Sequence, residues 1–415
     1  MKRLVAGLCA AVLLTGGAFA VEPADEMTPP PDAGPSETVL TVDYTAAADA
    51  LYDLGLFQGK GLDASGKPIY DLGASCTRAE AAVMLVRLLG KEEEAKTAPG
   101  TPFTDLADWQ KPAVNWLYRR GLAAGASYTK FEPEERCTAQ MYATFMLRAL
   151  GYSDQKGDFT YDGAIRFATN IGLIDLFSCD TDDFRRDDAA QMSRIALLLT
   201  PKGKTGDLLS DLTEAGVVEA EAAKTFRAIL QPVADLRRAL KKRQPYTGEI
   251  FAALREGGDS LSLTGTLTTD DKNTVIAGML SAALADGRSV SKMVTVVRTM
   301  DGVFISPLDG TAYRDDQIAR LLRESGILDL MTTEIPEDSL LVSSAQSGNE
   351  VTMTLVGGGA ATLNLDASGT PTLRTFSTSL QEAAYEITVE TVESGASVHP
   401  SVPSDLKGYI KIHAL

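Results

Sequence analysis

Histidine is almost missing from this sequence: His399 and His413 are the only two in 415 residues. Both lie near the C-terminal end, which argues against a zinc site or a His-based catalytic triad in the rest of the chain. Cysteine is scarce as well, and four in a chain this long exclude a miniprotein built on disulfides. Bases are outnumbered, 39 against 56 acids, for a formal charge of −17. Such a deficit argues against general binding to a phosphate backbone or to an anionic membrane surface. After the first twenty residues no apolar run reaches the roughly eighteen that a membrane span needs. A nucleophile elbow, a zinc-protease motif and an EF-hand loop are all absent. Gly61 to Lys67 begins like a phosphate loop, but Pro68 stands where a Mg-binding hydroxyl is required. No cofactor or metal is therefore expected. What is present is a chain that folds: 44% of it is hydrophobic, and its length admits two or three domains.

The first twenty residues read as an export signal. Lys2 and Arg3 precede an apolar run from Leu4 to Leu14, and Ala18-Phe19-Ala20 fits the small-x-small rule for cleavage after Ala20. Cys9 lies inside that run behind Leu8, where a lipoprotein signal needs a small residue, so it reads as discarded. Residues 21–41 follow as a Pro-rich acidic spacer with Pro23, Pro29, Pro30, Pro31 and Pro35. The mature protein is expected outside the cell.

Residues 42–203 contain a degenerate repeat in three copies. In each, a helical stretch ends in Gly-Leu: Gly55-Leu56, Gly121-Leu122 and Gly172-Leu173. A polar loop follows, then a second amphipathic helix starting at Thr77, Thr138 and about Arg185. Aligned on those starts, Ala82, Ala143 and Ala190 coincide, as do Met84, Phe145 and Met192. Apolar residues recur at three- and four-residue steps, the spacing of one buried helical face. Thr77 with Glu80 forms a capping box, and Asp187 and Asp188 suit the positive end of the third helix.

These residues resemble the S-layer homology family. Its pattern runs F-x-D, a Trp, a helix ending in Gly-Ile or Gly-Leu, a Gly, F-x-P, then T-R-A-E. Copy two supplies Phe103-Thr104-Asp105, Trp109, Gly121-Leu122, Gly125 and Phe131-Glu132-Pro133; copy one supplies Thr77-Arg78-Ala79-Glu80. The resemblance implies three helix–loop–helix units in a pseudo-three-fold all-α bundle. It also implies non-covalent attachment to a secondary cell-wall polysaccharide, often bearing ketal-linked pyruvate, in Gram-positive-type envelopes. A pyruvylated sugar offers a carboxylate, hydroxyls and an apolar face. An Arg fork pairs with the first, an acid takes hydroxyls or holds the Arg, and an aromatic ring covers the third. Carried over by motif, the polysaccharide-binding candidates are Arg78 and Glu80 in copy one, Asp105 and Trp109 in copy two, and Arg186 and Asp188 in copy three. Copy two carries Ala139 and Met141 in place of Arg and Glu, so its groove is expected to be weakened. Two plainer readings stand beside these roles: Arg78 with Glu80 as helix-start electrostatics, and Trp109 as core.

Cys76, Cys137 and Cys179 belong to the mature chain. Cys76 and Cys137 hold one repeat position, just before the capping Thr, and read either as small buried apolar residues or as part of a disulfide. Equivalent positions in packed units are expected to stay apart, which argues against joining these two. Residues 204–250 read as a helical linker, with a helix from Glu219 to Leu230 and a basic stretch of Arg237, Arg238, Lys241, Lys242 and Arg243 after Pro232. That stretch reads as a solvated helix end or as a patch for anionic polymer.

Residues 251–415 read as an α+β domain with a large curved antiparallel sheet. Strands are expected at 261–267, 293–300, 351–356, 362–365 and 385–391, with turns at Asp301-Gly302 and Gly357-Gly358-Gly359. Asp315 to Leu330 reads as a helix, and Val275 to Leu284 fits helix or strand. In topology alone, with the 301–313 segment and Val402 to Leu406, this half resembles lipoprotein-carrier-like folds. The whole reads as a secreted, wall-associated multidomain protein, not an enzyme. Anchoring repeats are followed by a domain that binds a partner or serves as structure. The alternatives are a wall-anchored carbohydrate-active enzyme, which needs paired carboxylates across a cleft, and a carrier of a lipid or other apolar ligand, which needs an apolar groove.

Overall fold

The computed structural model describes residues 44–175, 179–306, 318, 321–322, 325–336, 340–380, 383–407 and 409–413. The export signal, the Pro-rich spacer and residues 307–313 of the 301–313 segment lie outside them.

The first part is helical. The first helices of the three copies are α1 (Thr45–Asp53), α4 (Lys111–Arg119) and α6 (Ala164–Asn170), and the second helices are α2 (Arg78–Leu88), α5 (Ala139–Ala149) and α7 (Arg186–Ala196). A short α3 (Glu92–Ala95) follows α2. Each first helix closes on a glycine in left-handed backbone, Gly55, Gly121 and Gly172, which is why Gly-Leu marks its end. The second helices start where the caps predict. Thr77 Oγ1 accepts from Glu80 N at 3.2 Å while Glu80 Oε2 accepts from Thr77 N at 2.9 Å, a reciprocal cap worth about 1 kcal/mol. Thr138 repeats the first half by accepting from Met141 N at 3.2 Å. In copy three the carboxylate half survives, and Asp188 accepts from Arg185 N at 2.7 Å.

The loops before the second helices meet. Thr77 pairs with Arg136 and Ser75 with Arg185 in antiparallel bridges. This corrects the expectation for the cysteines: Cys137 N donates to Cys76 O at 2.7 Å, so equivalent positions of two copies lie side by side. The contact is made by the segments that lead into the second helices, not by the helices themselves. All three described cysteines are buried free thiols, as the plainer reading expects.

The segment read as a linker holds α8 (Leu208–Glu214) and one long helix, α9 (Ala220–Leu240). Pro232 lies inside α9 rather than between two helices. A proline there removes one helical hydrogen bond, and next to the break the Ile229 carbonyl accepts from Ser344 Oγ at 2.7 Å. The helix serves two cores. Ala223 and Phe226 pack with the repeats, while Val233, Leu236 and Leu240 pack under the sheet. Arg194 on α7, buried, adds a second link by donating from Nη2 to the Leu341 carbonyl at 2.9 Å.

Among the described residues the sheet has eleven antiparallel strands in the order β11-β5-β4-β3-β2-β1-β10-β9-β8-β7-β6. They are β1 (Tyr246–Glu256), β2 (Asp259–Thr269), β3 (Thr274–Ala283), β4 (Ser289–Thr299), β5 (Gly302–Ile305), β6 (Leu341–Ser347), β7 (Glu350–Leu355), β8 (Ala360–Leu365), β9 (Pro371–Leu380), β10 (Ala383–Ser394) and β11 (Ile410–His413). The five expected strands are present, the ambiguous 275–284 segment is β3, and the sheet starts inside the segment read as a linker. One row of side chains runs in register across seven strands: Met353, Ala361, Phe376, Ile387, Ala252, Leu263 and Leu280. All seven are buried, so this face carries the core and the alternation of each strand follows from it. On the other face Phe251, Thr264, Met279 and Met293 are neighbours in register and exposed. The helix expected over Asp315 to Leu330 falls partly outside the described residues. Where it is described, Gly326 with φ 66° precedes α10 (Ile327–Thr332), so the segment is not one continuous helix.

Candidate functional site

The candidate residues fall at two junctions between copies, built alike. At the first, the start of α2 lies against the copy-two loop: Arg78 N donates to Glu135 O at 2.9 Å and Ala79 N to Pro133 O at 3.0 Å. At the second, the start of α7 lies against the copy-one loop: Arg186 N donates to Ala74 O at 3.1 Å and Asp187 N to Leu72 O at 3.2 Å. Counted from the helix starts, the four partners occupy the same offsets.

The two guanidinium groups follow the same plan. Arg78 Nε donates to Phe131 O at 3.0 Å, and its guanidinium carbon lies 4.7 Å from the centre of the Phe131 ring. Arg186 Nε donates to Tyr70 O at 3.1 Å, with its guanidinium 5.8 Å from the Phe57 ring. Both arginines are buried, at 7% and 6% exposure. Arg78 also reaches Ala124 O at 3.2 Å through Nη2 and Met141 Sδ at 3.4 Å through Nη1. These bonds use three of its five N–H groups. Met141, which stands where the motif has Glu, is thus in direct contact with the Arg of the preceding copy.

The turn beneath each guanidinium is strained at one place. Glu132, after Phe131, has φ 59°, and Asp71, after Tyr70, has φ 54°. Non-glycine residues seldom adopt this backbone. In copy two the strain is held by Asp105, whose two carboxylate oxygens accept from Phe131 N at 3.1 Å and Glu132 N at 2.9 Å. Burial pushes the Asp105 carboxyl up, but the donated N–H bonds outweigh it and the group titrates below its ordinary range. In copy one Asp71 pairs with Lys60, whose hydrogen bond and charge lower its carboxyl, with a smaller share from Arg186.

The six residues do not form one cluster. Arg78 and Asp105 are joined through the Phe131–Glu132 turn, with Glu80 on the capping box beside them. Arg186 and Asp188 belong to the second junction, where Asp188 is buried and also accepts from Asp180 N at 3.0 Å. Trp109 is 55% exposed; Trp116 is the buried tryptophan of this copy. Sequence reasoning passed over Tyr70 and Phe57, the partners of Arg186. Setting Tyr70-Asp71-Leu72 against Phe131-Glu132-Pro133 is the signal that finds Tyr70. Copies two and three meet differently. Arg136 donates to Phe184 O at 3.0 Å and pairs with Asp183, and Gln140 Nε2 donates to Tyr161 O at 2.9 Å. No arginine stands at the Ala139 position.

Beside the first junction an open cleft of about 350 Å³ is lined by Tyr118, Arg119, Gly121, Ala123, Ala124, Arg148 and Gln155. Arg148 is tied there by a bidentate pair with Asp154 at 2.6 and 3.0 Å and by a bond to Leu122 O at 3.3 Å. The chemistry on offer is recognition of anionic and hydroxylated ligands by guanidinium and aromatic groups. Among the described residues no group of three or more His, Cys, Asp or Glu could hold a metal ion. Among them, too, no helix is long and apolar enough to cross a membrane.

Residues 102–138, the stretch holding Asp105, Trp109 and Phe131, match the S-layer homology domain family. The chain contains an S-layer homology domain. It is 31% identical over 135 residues to a cell surface protein of Thermoanaerobacter kivui, covering 32% of this chain and 17% of that protein. It is 33% identical over 82 residues to an endoglucanase of a Bacillus species, covering 20% of this chain and 8% of the enzyme. The chain therefore spans less than a fifth of the length of either relative. Among solved structures it is similar to the lipoprotein LppX of Mycobacterium tuberculosis, at 13% identity and a TM-score of 0.21, over 42% of this chain and 98% of that one. A score this low bears no argument about the fold.

Proposed function

We propose that this is a cell-surface protein, exported with cleavage after Ala20. In this reading it is held without covalent bonds to a secondary cell-wall polysaccharide by its three repeats, packed as a pseudo-three-fold bundle. The observation that carries the proposal is the Phe131–Glu132 turn of the S-layer homology segment, clamped below by Asp105 and covered by Arg78. The polymer is of the acidic, pyruvylated type: its carboxylate meets the N–H groups that Arg78 and Arg186 do not spend on the protein. Glu80 and Asp188 hold the helix starts that aim these arginines, and the exposed Trp109 ring covers a sugar face. The sheet domain presents a binding or structural surface outside the cell. What supports this over the carrier reading is that, among the described residues, the cavity beside Arg374, Asp329 and Phe376 holds only about 20 Å³, about one water.

The test is sedimentation of the full chain with purified cell-wall sacculi, against sacculi stripped of the secondary polymer by acid. Trp109→Ala removes an exposed ring and is expected to weaken sedimentation several-fold while leaving the circular dichroism unchanged. Arg78→Ala with Arg186→Ala is expected to abolish it, with folding checked in parallel. Equal binding to native and stripped walls, or none to either, would overturn the proposal. The reading involves no catalysis, and hydrolysis of wall polysaccharide by the full chain would replace it with the enzyme alternative.

A further inference from the structure

Cys76 and Cys137 are 61 positions apart in sequence, yet they lie directly opposite each other. The bridge pairs Thr77 with Arg136. In an antiparallel register the next pair outward is Cys76 with Cys137, and Cys137 N donates to Cys76 O at 2.7 Å. Opposed residues in such a pair have Cα atoms about 5.5 Å apart, inside the range of about 4.4–6.8 Å that a disulfide spans. Their side chains leave the ladder on the same side, with Cβ atoms about 5.5 Å apart in a hydrogen-bonded pair, so a disulfide, which spans about 3.5–4.5 Å between Cβ atoms, requires the two loop segments to draw about 1 Å closer. Both thiols are fully buried in the core of the repeats. Each rests against a neighbouring main-chain carbonyl, Cys76 Sγ at 3.5 Å from Thr77 O and Cys137 Sγ at 3.6 Å from Thr138 O. Closure needs a rotamer change at both residues together with that approach. The third copy cannot take part, since Phe184 fills its equivalent position.

We propose that Cys76 and Cys137 form a redox modification site: a cross-strand pair that a small-molecule disulfide oxidises to a bond joining copy one to copy two. The step balances. One thiolate attacks the oxidant's disulfide and releases one thiol. The second protein thiolate then attacks the mixed disulfide and releases another, so two protein thiols are oxidised as one disulfide is reduced to two thiols. The bond would lie two residues from Arg78 and two from Glu135, whose N–H···O bond joins α2 to the copy-two loop. It would thus fix the junction where Arg78 is held. The inference does not depend on what the repeats bind.

Burial pushes the Cys76 thiol up to about 12 and the Cys137 thiol up as well, so attack in the folded protein is slow. The bond is therefore sought at equilibrium during refolding. The reduced full chain is unfolded in guanidinium, refolded in a buffer of reduced and oxidised glutathione, trapped with iodoacetamide and mapped by mass spectrometry. The expected result is a Cys76–Cys137 cross-linked peptide, lighter by two hydrogens than its reduced halves, with Cys179 alkylated. Alkylation of both Cys76 and Cys137, or a bond from either to Cys179, overturns the proposal. As a second readout, the oxidised protein should melt roughly 5–10 °C above the reduced one. Cys137→Ala should show no such difference. A cross-link that leaves the midpoint unchanged would also overturn the clasp, because it would then restrain nothing that unfolding releases.

Discussion

Arg78 and Arg186 make the same contact 108 positions apart in sequence. Each is the first residue of a helix, and each donates from Nε to the carbonyl of an aromatic residue, Phe131 or Tyr70, just before a residue in left-handed backbone. A shared geometry of this kind makes the two arginines comparable, and the first prediction uses that.

Arg78→Ala and Arg186→Ala should each destabilise the protein by about 1–3 kcal/mol, the cost of leaving a buried carbonyl without its donor. Lysine should rescue poorly at Arg78, since an ammonium on a flexible stem does not reproduce the fork that reaches both Phe131 O and Ala124 O. Guanidinium denaturation of Arg78→Ala, Arg186→Ala and Arg78→Lys checks this. A silent Arg78→Ala would show that the buried guanidinium is not needed to hold the copy-two turn.

Asp105 should make stability pH-dependent at the acid end. Its carboxyl is lowered in the folded state, so the unfolded chain binds the proton more tightly in the window between the two values. The stabilisation is fully present above the unfolded value of about 4. It is lost as pH falls through the lower folded value. Asp105→Asn should be less stable than the parent at pH 7 and should show a shallower acid decline, measured by thermal melts at stepped pH.

Gly125 should not tolerate a side chain. An added Cβ would lie 2.4 Å from Phe103 Cε1 and 2.6 and 2.7 Å from the carbonyls of Ser127 and Lys130. Gly125→Ala should therefore cost about 1–3 kcal/mol. Gly100→Ala is the control, because nothing lies within 4 Å of its added Cβ, and it should leave the melting midpoint unchanged.

The repeats and the sheet should unfold together. Both tryptophans, Trp109 and Trp116, belong to the repeats, so their fluorescence reports that part alone. Leu236→Ala removes a buried side chain of α9 under the sheet, at a cost of about 2–5 kcal/mol. The tryptophan midpoint should fall with it and should coincide with the midpoint of the sheet's circular dichroism. Separate midpoints would mean that α9 does not couple the two cores.

How much of this was legible varied with the source of the signal. The second helices were readable because Thr77 and Thr138 announce their caps and the apolar spacing follows. The Asp105–Phe131 relationship was readable only as a motif: sequence showed both residues but not that one carboxylate clamps two backbone amides. β2, β4 and β10 alternate and were readable. β1 was not, because Ala252, Ala253 and Leu254 are buried in succession and break the period of two. β3 was ambiguous because Gly278 lies against Gly265 of β2, where an added Cβ would lie 2.5 Å from Thr264 O; that close fit is invisible in one dimension. α9 was cut at Pro232 because a proline usually ends a helix, whereas here the chain runs through it and is buttressed by Ser344. Cys76 and Cys137 escaped for a related reason: repeat symmetry says which positions are alike, not which of them meet.

Arg194 and α9 carry a mechanical implication. Tension applied to the sheet while the repeats are held would reach them along two routes at once, the backbone of α9 and the Arg194–Leu341 bond. The helix route passes Pro232, its weakest turn, and there Ser344 grips the adjacent carbonyl from β6. Under pull, the first element to yield should be the β6 edge together with the second half of α9.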